Sequence, residues 1–241
     1  MRTQIIRFPN QQALCVFPES PPDLVRAISE LRLDKSRPVI VLIGGHIDDE
    51  QAVVTRLAIQ SIARAAEDMD ALVICGGTDM GVMAEIGKMR WQNHWAFPLL
   101  GITLEELVTW PQGPRSAKFL WWGIKRWQLA PYYSHFMLVP GHQFGDESPW
   151  IANAATIISN GQKSVTILIN GGDVSRKDVE LSLQNARGVI VLSGTGRLAD
   201  ELTSQPNRHE LIFIVPANDE QKISAVVRGA LSQNERIILP H

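Results

Sequence analysis

The sequence predicts an α/β protein built on a Rossmann-like, doubly wound, mainly parallel sheet, with a short amino-terminal β/α lead-in. Three observations predict it. Short apolar runs recur without polar alternation, as strands buried on both faces do. Four of those runs end in glycines within two residues. Helical patterns follow most of them, and strand, glycine turn and helix repeated this often imply a parallel sheet covered on both faces.

The elements follow in chain order. Residues 3–8 and 13–17 are apolar-rich runs separated by Pro9-Asn10-Gln11-Gln12, and read as a hairpin or irregular lead-in. Pro21-Pro22-Asp23 opens a helix with Leu24, Ile28 and Leu31 on one face. Residues 1–37 are therefore assigned to a lead-in packed on the core, and 38–241 to the main domain. That domain begins with Val39-Ile40-Val41-Leu42-Ile43, a buried strand ending in Gly44-Gly45. Asp48, Asp49 and Glu50 suit a helix amino terminus, and Val54, Leu57, Ala58, Ile62 and Ala65 continue at helical spacing. The motif then repeats. Residues 71–75 form a strand ending in Gly76-Gly77, and Thr78 can cap the helix that carries Val82, Met83 and Ile86.

Further strands are expected at 99–102, 136–139, 165–169, 189–192 and 211–215, with helices at 151–158, from about 197, and at 219–231. Ser175-x-x-Asp178 has the form of a capping box for the helix after Gly171-Gly172. One stretch breaks the pattern. Residues 110–133 hold Trp110, Trp121, Trp122, Trp127, Tyr132 and Tyr133 beside Arg115, Lys118, Lys125 and Arg126, with no acid. Such an insertion can fold back as a secondary core, close a lid over a pocket, or stack bases.

Bulk properties exclude several classes. The formal net charge is -2, so no strong field draws nucleic acid or an anionic membrane. Cys15 and Cys75 belong to no CxxC pair, which fits a reducing compartment and a cytoplasmic location. No apolar run approaches the roughly 20 residues that span a bilayer, so membrane insertion is not expected. The six histidines lack metal-ligand spacing, and there is no P-loop, nucleophile elbow or HExxH.

In open parallel sheets, ligands bind outside the carboxyl ends of the strands. Glycines lie there in four sets: Gly44 and Gly45; Gly76, Gly77 and Gly81; Gly171 and Gly172; Gly194 and Gly196. Glycine lets backbone approach a phosphate closely, and helix amino termini add free N–H groups. Thr78 can donate to a phosphate or cap its helix. Thr195 lies within the last turn, and Arg197 adds a bidentate cation. The run Gly194-Thr195-Gly196-Arg197-Leu198-Ala199 formally matches GxGxxA, with Asp219 at the ribose-acid spacing or capping the last helix. Asp146 and Glu147 can hold a ribose, a metal or a catalytic proton, or can cap the following helix. His46, after the first glycine pair, can touch a ligand or stay solvated.

Five motifs occur in order: Gly76-Gly77-Thr78-Asp79-Met80-Gly81-Val82-Met83, Ser134-His135-Phe136-Met137-Leu138-Val139, Gly145-x-Glu147, Ile167-Leu168-Ile169-Asn170-Gly171-Gly172, and Gly194-Thr195-Gly196-Arg197-Leu198-Ala199-Asp200. Over roughly residues 38–203 the set resembles the prokaryotic branch of the SLOG superfamily related to the cytosolic region of TRPM channels, the LSDAT group. The resemblance implies a Rossmann-like domain that binds or senses a nucleotide such as ADP-ribose or an NAD-like molecule. It would have no other cofactor or metal, and would work with a separate effector protein or as a homo-oligomer. Gly76, Gly77, Thr78 and Gly81 would line phosphates and Arg197 would be the main charged contact.

The Lonely-guy phosphoribohydrolases, the enzymatic SLOG branch, supply the alternative of an N-glycosidic nucleotide hydrolase. Its PGGxGTxxE motif is altered here, with Ser193 for proline, Arg197 for threonine and Asp200 for glutamate. Candidate acids for that chemistry are Glu147, Asp200 and Glu201. A third reading, nucleic-acid processing through residues 110–133, resembles the DNA-uptake SLOG proteins.

Overall fold

The computed structural model describes residues 1–114 and 126–232. Arg115, Lys118, Trp121, Trp122 and Lys125 of the basic aromatic stretch lie outside the described residues. Nine strands form one sheet. In chain order the elements are β1 (Arg2–Arg7), β2 (Gln12–Phe17), α1 (Leu24–Glu30), β3 (Val39–Gly44), α2 (Ala52–Asp68), β4 (Leu72–Cys75), α3 (Gly81–Gln92) and β5 (Leu99–Leu104). There follow β6 (Val108–Thr109), β7 (Trp127–Gln128), β8 (His135–Val139), α4 (Ser148–Ser159), β9 (Ser164–Ile169), α5 (Asp173–Gln184), β10 (Gly188–Ser193), α6 (Arg197–Ser204), β11 (Ile212–Pro216) and α7 (Glu220–Leu231).

The strand order is β1-β2-β8-β5-β4-β3-β9-β10-β11, while β6 and β7 form a separate two-stranded ribbon. All pairings in the main sheet are parallel except β1 with β2. The lead-in hairpin is thus continuous with the sheet, because β2 pairs with β8 through Cys15 opposite Phe136. Residues 39–43 of β3 are all buried, which is why they carry no polar alternation. Each such Val or Ile contributes about 1.5–3 kcal/mol by burial. Two apolar layers cover the faces: one includes residues of α2, α3 and α7, the other residues of α1, α4, α5 and α6.

The order fixes where a ligand can enter. From β3 the chain proceeds outward through β4, β5 and β8, then returns through α4 to place β9 on the other flank of β3. Gly44 of β3 pairs with Ile169 of β9. Consecutive connections therefore leave in opposite directions between β3 and β9, opening a crevice at their carboxyl ends. Two glycines are fixed by packing around it. Gly81 has φ +48°, and a side chain there would collide with the Gly45 carbonyl, because Val82 N–H donates to that oxygen. Gly77 has φ +74° and lies against the backbone of Gly101 in β5.

Candidate functional site

A cavity of about 290 Å³ opens beside this crevice. Its apolar walls include Ile43 from β3, Met80 and Met83 around the start of α3, Ile151 from α4, and the Trp127 and Phe144 rings. Those two rings meet edge to face with centroids 6.4 Å apart. Thr78 and Thr103 add hydroxyls, and Glu147, Ser175 and Asp178 supply the polar end. Thr78 does not cap α3, whose N-cap is Met80. It lines the cavity instead.

The polar end is buried. Glu147 is 5% exposed, and burial pushes its carboxyl up to about 7. The charges of Asp178 and Asp146 act in the same direction, while the Gly145 N–H, 2.7 Å from Glu147 Oε2, opposes them. Asp178 is likewise pushed up to about 6 by burial, partly offset by the Ser148 hydroxyl and the Lys177 charge. That hydroxyl makes no well-formed bond. Ser148 Oγ and Asp178 Oδ1 are both buried without a hydrogen-bond partner. A largely apolar cavity thus contains two carboxyl groups whose environment favours the protonated form.

Ser175 and Asp178 do not form the expected capping box. The N-cap of α5 is Gly172, which leaves Asp178 one turn further on and facing the cavity. That acid was missed as a functional residue because its spacing fits a cap. Two acids near the starts of successive helices, Glu147 directly before α4 and Asp178 within the second turn of α5, would have been the available signal.

The second half of the site is the rim. Arg197 has φ +47°, an exposed side chain, and no hydrogen bond or ion pair among the described residues. Its guanidinium lies over two of the glycine turns. A Cβ on Gly172 would stand 2.7 Å from Nη2, and one on Gly45 3.4 Å from Nη1. Beneath it Asn170, 2% exposed and at φ +58°, donates from Nδ2 to the Thr195 carbonyl at 2.9 Å and leaves Oδ1 unpartnered.

The turn after β10 is saturated by its own chain. The Asp200 carboxylate accepts from Gly194 N–H at 2.6 Å and from Gly196 N–H at 3.0 Å. Thr195 Oγ1 donates to the Leu192 carbonyl and accepts from Asn170 N–H. Leu198 and Ala199 N–H groups donate to Gly171 and Asn170 carbonyls. These amides are committed, so this turn presents Arg197 rather than a phosphate cradle. Glu201 pairs with Arg176 at 2.6 Å on the surface, away from the cavity.

The sequence-derived residues therefore divide. Gly44, Gly76, Thr78 and Glu147 line the cavity, and Gly45, Gly172 and Arg197 meet at the adjoining rim. Gly77, Gly81 and Gly171 fit close backbone or side-chain contacts, and Gly194, Thr195, Gly196 and Asp200 form the braced turn. His46 is exposed, and Asp219 caps α7 by accepting from Lys222 N–H. His135 is held down to about 4, chiefly by burial, and pairs with the Ser134 hydroxyl. Among the described residues no group of three His, Cys, Asp or Glu is placed to hold a metal, and no helix is long and apolar enough to cross a membrane.

Residues 37–232 match the family model described as SLOG in TRPM, prokaryote. Among solved structures, TM1055, a structural-genomics target, aligns with a TM-score of 0.55 at 16% identity, covering 79% of this chain and 98% of that one. The molybdenum cofactor carrier protein of Chlamydomonas reinhardtii aligns with a TM-score of 0.52 at 18% identity, covering 79% of this chain and 96% of its own. At such identities the likeness is one of fold. No curated protein matches the sequence.

Proposed function

The chain belongs to the prokaryotic SLOG-in-TRPM family, and from that premise we propose that it binds and senses a nucleotide, of the ADP-ribose or NAD-related kind. The observation that carries this is the unpaired Arg197 guanidinium over Gly45 and Gly172, next to an apolar cavity at the sheet's switch point. A cavity of about 290 Å³ suits one ring and its ribose rather than a whole dinucleotide. The ring would sit between Met83, Trp127 and Phe144, and the phosphates would run along the rim to Arg197, which forks onto phosphate oxygens. A sensor of this kind would signal through a separate effector protein or a second copy of the chain.

Thermal-shift titration with ADP-ribose, NAD and AMP tests the reading. A ligand at 100 times its dissociation constant stabilises the fold by about 2.7 kcal/mol, so a clear rise in melting temperature is expected from at least one of them. No shift from any of the three at millimolar concentration counts against it.

N-glycosidic hydrolysis is the second reading, and Glu147 favours it. A buried acid with its pKa raised to about 7 keeps a substantial protonated fraction near neutrality and can protonate a departing base. Asp200, the residue that would replace the hydrolase glutamate, is occupied by its own turn. Release of free base or ribose phosphate from AMP, NAD or ADP-ribose would establish this reading, and intact nucleotide after long incubation removes it.

A further inference from the structure

The nucleotide reading leaves the polar end of the cavity without a task, and that end is built unlike the rest. Glu147 and Asp178 come from different elements, at the start of α4 and within α5, yet line one cavity of which they are the only ionisable lining residues among the described residues. Ser148, 1% exposed, bears on Asp178 with its hydroxyl, which favours the ionised acid and partly offsets burial. Carboxyl groups lining an otherwise apolar cavity are positions for a ligand's polar edge. The opposite walls are rings and thioethers, the surroundings of a flat ring rather than of a phosphate.

We propose that Glu147 and Asp178 are the base-reading end of the cavity, and that with a proton on the pair they offer an O–H donor beside a C=O acceptor that fits the edge of adenine. This rests on the nucleotide reading and specifies the ring. Adenine places an amino donor next to a ring-nitrogen acceptor, which a carboxylic acid matches with one bond each way. Guanine's pairing edge places two N–H donors together, which a carboxylate matches instead. Two carboxyl groups in one apolar cavity do not both ionise readily, because each charge is poorly solvated and opposes the other. The selectivity of the cavity is therefore coupled to its proton.

Burial raises both acids, and the Asp178 charge adds to it at Glu147, which stands at about 7 with Asp178 at about 6. The charged groups around the pair are few. From α5 comes Lys177, whose Nζ donates to the Gly145 carbonyl at 2.6 Å. From the loop before α4 come Asp146, whose carboxylate accepts from His142 and Gln143 N–H groups, and His142, which pairs with Glu106. The lining residues of β3, β5, β7 and α3 carry no ionisable group.

The test is calorimetric titration of the full chain with NAD and with nicotinamide guanine dinucleotide, at pH 5.5 and 8.5 and constant ionic strength. Both are pyrophosphate diesters that stay ionised throughout, and they differ only in the base. NAD affinity is expected to fall about 30-fold at the higher pH, the change in protonated fraction of an acid of pKa about 7. The guanine analogue is expected to tighten or hold. Asp178→Asn with Glu147→Gln presents a fixed amide donor and acceptor, so NAD should bind it with no pH dependence. Melting curves of that double variant, and of each single variant, report whether the fold is kept. NAD affinity equal at both pH values, or a pH slope surviving in the folded double variant, overturns the base-reading role alone. No binding of either dinucleotide at either pH overturns the base-reading role, and, where ADP-ribose and AMP also give no melting shift, the nucleotide reading with it.

Discussion

Two glycine turns at the same sheet edge behave in opposite ways. After β10, Asp200 takes the N–H groups of Gly194 and Gly196, Thr195 ties into Leu192 and Asn170, and the Arg197 side chain projects without an ion pair among the described residues. Around β3, β4 and the start of α3 the glycines bring backbones together, and two carboxyl groups, Glu147 and Asp178, line the cavity beside them. A glycine after a strand therefore marks an approach, not a ligand. Whether the approach serves a ligand depends on what else claims the freed N–H groups.

The largest effect that can break this contrast lies on the cavity side. Gly81→Ala forces a side chain at φ +48° into the Gly45 carbonyl, and unfolding free energy should fall by about 3 kcal/mol or more in urea. A smaller loss would mean that the α3 start is not locked to β3. Next comes pH. The folded pKa of Glu147 is raised from 4.5 to about 7, so the folded state binds more protons than the unfolded one between those values. That stability is fully present below pH 4.5 and is lost as pH rises through 7, of order 3 kcal/mol in total. Denaturation midpoints across that range should slope downward, and Glu147→Gln should reduce the slope, leaving the part below about pH 6 that Asp178 contributes.

On the braced side, Asp200→Ala removes the acceptor of two backbone donors and should cost about 2 kcal/mol. Nucleotide affinity measured on the same protein should stay within about threefold of the wild type. A large loss of affinity there would move the acid into the site and erase the distinction between the turns. The smallest effect sharpens it. Arg197→Gly relieves a left-handed non-glycine residue and should raise stability by about 0.5–1 kcal/mol, while weakening ADP-ribose binding at least about tenfold. A variant both more stable and less able to bind is the signature of a residue kept for function.

The sheet was legible because its signal is local. Runs such as Val39–Ile43 and residues 189–192 are apolar at every position, and only burial on both faces tolerates that. Arg197 and Glu147 were legible as chemistry at strand ends. Asp178 was not, since its spacing from Ser175 is that of a cap, and only the actual N-cap at Gly172 frees it. Thr78 had the same ambiguity and resolved towards the cavity. The role of Asp200 depends on backbone N–H directions that no residue pattern reports. Trp127 and Phe144 come from irregular stretches outside any periodic pattern, so their meeting across the cavity is visible only in three dimensions.

The central claim, that the apolar cavity beside Arg197 receives the base of a nucleotide, is tested most directly by photolabelling with 8-azido-ADP-ribose, followed by peptide mapping. The account predicts that label, competed by unmodified ADP-ribose, falls on peptides containing Met80 and Met83, Trp127 or Phe144. Competed label confined to peptides elsewhere, or no competed label at all, would contradict it.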